Sequence, residues 1–138
     1  MQTKAPAFLY DHDFPTNIIL GITLETDKKD FDTPSLYKTY GQISSALEPA
    51  SRAREFVCAQ PQNRIVTIEP ILQFDLNEFV VIIRSINPQV VYIGYDNHNC
   101  HLPEPTLAET QRLIKELEMF TEVRIKSLRK AWYEEGGK

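Results

Sequence analysis

The sequence predicts an α/β protein: a partial β/α barrel, a half-barrel of about four to five parallel strands with helices on the outer face. Three observations carry that expectation. Short runs rich in Ile, Val and Tyr alternate with stretches whose apolar residues recur at helical spacing. Side chains alternate along the runs, with small or polar residues on one side and aliphatic residues on the other. No linker or break in composition divides the chain, so 1–138 reads as a single domain.

The first strand is expected over Asn17–Thr23, the second over Arg64–Ile68, the third over Val90–Tyr95 and the fourth over Glu122–Leu128. Met1–Lys4 reads as a further strand stub at the open edge. Pro49, after Glu48, suits the first turn of a helix that carries Ala53, Phe56 and Val57. Asp75 and Glu78 form a start signal for a helix whose face holds Leu76, Phe79, Val80, Ile83 and Ile86. Thr106 and Glu109 repeat that signal before Leu107, Leu113, Ile114, Leu117 and Phe120. Between these elements, Thr26–Leu47 is polar and turn-rich, a long loop with room for one short helix.

One side of the strands holds Gly21, Thr23 and Glu25, then Ile65, Thr67 and Glu69, then Tyr92, Gly94 and Asp96, then Arg124 and Lys126. The other holds Ile18, Leu20 and Ile22, then Val66 and Ile68, then Val91 and Ile93, then Val123 and Ile125. A doubly wound sheet needs apolar contacts on both faces. A barrel covers only its outside with helices and gathers polar groups at its C-terminal rim. The pattern favours the barrel. Four or five strands leave it open, and open edges invite pairing. The sequence therefore predicts a partner, either a second copy (a homodimer) or a separate chain that supplies the missing strands.

Composition excludes several classes. Nineteen acidic against fifteen basic residues give a net charge of −4, the wrong sign for a general nucleic-acid binder. The longest apolar run, Phe79–Ile83, has five residues, far short of the ~18 of a membrane span. The first residues lack the apolar core of a signal peptide, which points to a cytoplasmic location. Cys58 and Cys100 read as free thiols and are too few to hold an iron–sulfur cluster. Neither G-x-x-x-x-G-K-[ST], G-x-G-x-x-G nor G-x-S-x-G occurs.

The candidate site is Glu25, Glu69 and Asp96 at the ends of three successive strands, with Lys126 on the next. Neighbouring strands lie about 5 Å apart, so three carboxylates and an ammonium can converge on one mouth. Such a set can hold a divalent cation, as in a metal-dependent hydrolase, shift a pKa, or bind a ligand's amino and hydroxyl groups. It can equally be an ion network that only balances charge. Asn97-His98-Asn99-Cys100-His101 holds metal-ligand types, but its spacing matches no known ligand geometry, and a polar loop is the simpler reading. Trp132 and Tyr133 beside Arg129 and Lys130 suit either stacking on a nucleotide or packing on the end of the barrel.

The runs NIILGITLETD (17–27), RIVTIEPILQFDL (64–76), VVYIGYD (90–96) and PEPTLAETQRLIKELEMFTEVRIKSLRKAWYE (103–134), with Thr3-Lys4-Ala5-Pro6 ahead of them, carry a resemblance. They resemble the C-terminal half of radical-SAM-like proteins of uncharacterised role found in archaea, bacteria and phages. The resemblance implies a partial (β/α) barrel and S-adenosylmethionine chemistry at its C-terminal mouth, with Glu25, Glu69, Asp96 and Lys126 at the matching rim positions. The C-x-x-x-C-x-x-C loop that holds the cluster in radical-SAM enzymes is absent. The chain alone is therefore expected to need no cofactor and to catalyse no radical reaction. S-adenosylmethionine and an iron–sulfur cluster would enter only with a separate N-terminal half.

Overall fold

A computed structural model of the chain describes residues 2–3, 19–59 and 62–136. Strands β2 (Ile19–Thr23), β3 (Asn63–Ile68), β4 (Val90–Ile93) and β5 (Glu122–Ile125) form a parallel sheet in chain order. The two-residue β1 (Gln2–Thr3) pairs in parallel with the outer side of β2. Helices α1 (Pro49–Cys58), α2 (Leu76–Ile86) and α3 (Leu107–Glu118) fill the crossovers. Each crossover leads to the adjacent strand, so crossovers of one hand bring every helix to the same face.

That face is the aliphatic one. Ile22, Val66, Val91 and Val123 stand in one register row, with Ile68, Ile93 and Ile125 in a second. Leu20, Ile22, Val66, Ile68, Val91 and Ile93 join one core with Ala53 and Phe56 of α1, Phe79, Ile83 and Ile86 of α2, and Leu113 and Leu117 of α3. Fully burying such a side chain contributes about 1.5–3 kcal/mol, which makes this row the main source of cohesion. Ile125 departs from the expectation and stays 45% exposed, because β5 ends the sheet. Ile18 and Asn17 lie outside the described residues.

Element ends follow local chemistry. Asp75 accepts from the Glu78 N–H (3.0 Å) and starts α2, which closes on Asn87 in the left-handed region at φ 55°. Thr106 accepts from the Glu109 N–H while Glu109 accepts from the Thr106 N–H (3.2 and 2.7 Å), a reciprocal cap on α3. Phe120 lies beyond the end of α3 but still packs on the core, under the Arg84 guanidinium. The ladder between β4 and β5 stops earlier than the sequence suggests. Ser127 Oγ accepts from the Tyr95 N–H (2.8 Å), so a side chain takes over from the backbone.

The segment 26–47 has little regular structure: a bridge between Asp30 and Thr39 and a 3-10 turn at Tyr40–Gln42. It is nevertheless firmly seated. Phe31 and Tyr40 form a second apolar cluster with Leu72 and Leu102 from the loops after β3 and β4. Thr26 Oγ1 donates to the Gln73 carbonyl (2.5 Å), Ser35 Oγ to the His101 carbonyl (2.7 Å), and the Gln73 N–H to the Pro103 carbonyl (2.7 Å). At the other end of the chain, Arg129 grips the buried Glu104 through two nitrogens (2.9 and 2.6 Å), and Trp132 N–H adds a third bond to it. Glu134 accepts from the Leu107 N–H (3.0 Å) and so completes the start of α3. Among the described residues no helix is long and apolar enough to cross a membrane.

The reciprocal cap gives a direct check. Thr106→Ala removes the side-chain acceptor and is expected to cost about 1 kcal/mol, read as a lower urea midpoint at unchanged slope.

Candidate functional site

Two residues beyond the paired Thr67, Tyr92 and Arg124, the register places Glu69, Gly94 and Lys126 in one row across the C-terminal end of the sheet. Lys126 Nζ meets Glu69 Oε1 at 3.1 Å, with both side chains partly exposed. Gly94 makes that reach possible. A Cβ there would fall inside van der Waals contact of Glu69 Oε2 and within 3.1 Å of its Cδ, so the carboxylate lies across a bare backbone. The Tyr92 ring flanks the pair, with Lys126 Nζ 5.7 Å and the Arg124 guanidinium 5.8 Å from its centroid.

Glu25 is held elsewhere. Its carboxylate meets Arg52 Nη2 of α1 at 2.5 Å and accepts from the Tyr40 hydroxyl at 3.1 Å, while Arg52 also donates to Tyr40 Oη at 2.9 Å. The Arg52 and Glu25 side chains are 0% and 3% exposed. Burial, and then the Glu25 charge beside it, push the Tyr40 hydroxyl pKa up and keep it a donor. Nε and Nη1 of Arg52 have no hydrogen-bond partner among the described residues. These three side chains form a buried polar cluster beyond the end of β2.

Asp96 organises its own loop. Its carboxylate accepts from the His98 N–H (3.1 Å) and the Cys100 N–H (2.7 Å). Burial raises its pKa, but the bonds from Cys100 and His98 outweigh burial and hold it below the ordinary value of 3.8. The same carboxylate, after burial, raises the Cys100 thiol pKa. Asp96 and Asn97 line two neighbouring hollows. One, about 490 Å³, is bounded further by Asn99, Ser127, Leu128 and Arg129. The other, about 210 Å³, is bounded by Glu69, Pro70, Tyr95 and His98.

The structure thus brings Glu69 together with Lys126, sets Asp96 beside Glu69 on a shared hollow, and buries Glu25 against Arg52 and Tyr40. Among the described residues no three His, Cys, Asp or Glu side chains gather closely enough to hold a metal ion. His98 and His101 diverge: His98 lines the smaller hollow, and His101 stacks on Trp132 with centroids 4.5 Å apart. Trp132 Nε1 donates to the Leu102 carbonyl, and the Tyr133 hydroxyl donates to the Glu104 carbonyl (both 2.7 Å).

Sequence reasoning missed Arg52, Tyr40 and Ser127, and read Asn97 and Asn99 only as part of a polar loop. Only Arg52 carried a signal: it falls one position from Ala53 and four from Phe56, on the apolar stripe of α1. A cation on a buried stripe requires a carboxylate partner.

Two outcomes follow. Glu69→Gln is expected to change folding stability by no more than about 1 kcal/mol in urea, because its ion pair is half in solvent. Asp96→Asn is expected to be less stable than wild type at pH 7. Because the folded-state pKa of Asp96 is depressed, its stabilisation is present above the unfolded value and lost as pH falls through the folded one. The gap between variant and wild type should therefore narrow below pH 3.8 in acid denaturation curves. Searches for similar proteins returned nothing: no family model, no curated protein and no solved structure matches the chain.

Proposed function

We propose that this chain is an open (β/α) half-barrel that binds a small polar ligand at its C-terminal mouth and catalyses nothing alone. The observation that carries the reading is the polar end of the sheet. Glu69, Lys126, Asp96, Asn97, Asn99 and Ser127 bound adjoining hollows at the ends of β3, β4 and β5, where parallel-sheet proteins place their ligands. Carboxylates and amides in that arrangement suit a molecule that carries an ammonium and several hydroxyl groups. In line with the sequence resemblance, this chain would form the substrate side of a radical-SAM-like mouth. Its two thiols do not fit a cluster: Cys58 closes α1 and Cys100 lies in the loop after β4. Radical chemistry would therefore reside in another chain. Two free thiols accord with a cytoplasmic protein.

The open-barrel reading is supported by sequential strand order, by helices on one face, and by the edge strand β5, where Ile125 stands 45% exposed. The partner is a second copy or a separate half-barrel chain. Light scattering across a tenfold dilution distinguishes them. A dimer that persists indicates the second copy, and a monomer that aggregates indicates a missing chain. A monodisperse monomer throughout would overturn the open edge. Glucosamine, with an ammonium and a run of hydroxyls, serves as the ligand probe. It is expected to raise the melting temperature of wild type but not of Glu69→Gln, and the same shift in both would contradict the site.

A further inference from the structure

On the far side of the same loop lies a different cavity, about 420 Å³, bounded by Pro34, Leu36, Tyr37, Gln42, Cys100, His101 and Trp132. Three segments distant in sequence build it, and each is anchored. Ser35 ties the 33–42 turn to the His101 carbonyl, Trp132 is tied to the Leu102 carbonyl, and Gln42 Oε1 accepts from the Lys38 and Thr39 N–H groups (2.6 and 3.0 Å). Phe31, Tyr40, Leu72 and Leu102, with Tyr37 and Ile43 against them, form the apolar cluster beneath this region. The walls are therefore preformed.

Their chemistry is selective. Stacked His101 and Trp132 rings and the Tyr37 ring provide aromatic surface, and Leu36, 91% exposed, adds an aliphatic flank that the fold itself does not use. Among the described lining residues none is Lys, Arg, Asp or Glu, so no fixed charge selects an ion. The Gln42 amide and the His101 imidazole offer donors and an acceptor. The cavity volume lies in the range of small-molecule sites. We propose that this cavity binds an uncharged planar heteroaromatic ring of about the size of a nucleoside base. This site is separate from the polar mouth and does not depend on it.

Trp132 is the single tryptophan of the chain and lines this cavity, so the tryptophan emission comes from its wall. The test is the Trp132 fluorescence lifetime of the full chain during titration with adenosine, caffeine and nicotinamide, which are uncharged and do not emit. At least one is expected to shorten the lifetime saturably below ~1 mM, with ribose inert. Leu36→Asp, at a position too exposed to affect folding, is expected to keep the wild-type melting temperature and weaken that probe at least tenfold. No saturable change with any of the three in wild type would overturn the proposal. Equal affinity in Leu36→Asp would overturn it as well.

Discussion

The C-terminal end of the sheet is framed by one buried interaction, the contact of Glu25 with Arg52 and the Tyr40 hydroxyl. It joins three parts of the chain: the residue two past β2, the irregular 26–47 segment, and the first turn of α1. Removing a carboxylate and a guanidinium from water is costly, and their attraction offsets that cost only with good geometry and further hydrogen bonds. Tyr40 supplies such a bond to both ions at once. Its ring also sits in the apolar cluster with Phe31, Leu72 and Leu102, so the buried polar cluster and the seating of the 26–47 segment share one residue.

With Glu25 buried against Arg52 and Tyr40, the polar C-terminal end of the sheet is lined by residues of β3, β4, β5 and their loops. Its electrostatics then become simple. Glu69 and Lys126 neutralise each other across Gly94, and Asp96 stays ionised within the turn it organises. Glu104 balances Arg129 beneath the C-terminal segment, and Arg129 also lies over the Tyr95 ring at 4.9 Å. The Tyr95 hydroxyl, pushed to about 12 chiefly by burial, remains a donor to the carbonyls that lead into α3. The loop between β4 and α3 is thereby fixed on both sides, toward the polar hollows and toward the aromatic cavity.

Much of the frame was legible because periodicity and caps are local. Thr106 with Glu109, Asp75 before Leu76, and Pro49 after Glu48 mark the helix starts where they occur, and alternation assigns Leu20, Ile22, Val66, Ile68, Val91 and Ile93 to the helix face. Glu25 carried no local sign of its partners: Arg52 lies 27 residues further on, in α1, and Tyr40 lies 15 further on, in the 26–47 segment. The long-range bonds from Thr26 to Gln73, Ser35 to His101 and Arg129 to Glu104 have no local signature, since each joins residues far apart in sequence.

Glu25 and Arg52 form a buried ion pair that anchors α1 to the chain beyond β2. A double-mutant cycle of Glu25→Gln and Arg52→Met, measured by urea denaturation, tests this directly. Each single change is expected to destabilise by about 3–5 kcal/mol, because it strands a buried polar partner. The double variant should recover at least ~1 kcal/mol relative to the sum. Single changes that cost less than about 1 kcal/mol and add without coupling would contradict that anchoring role.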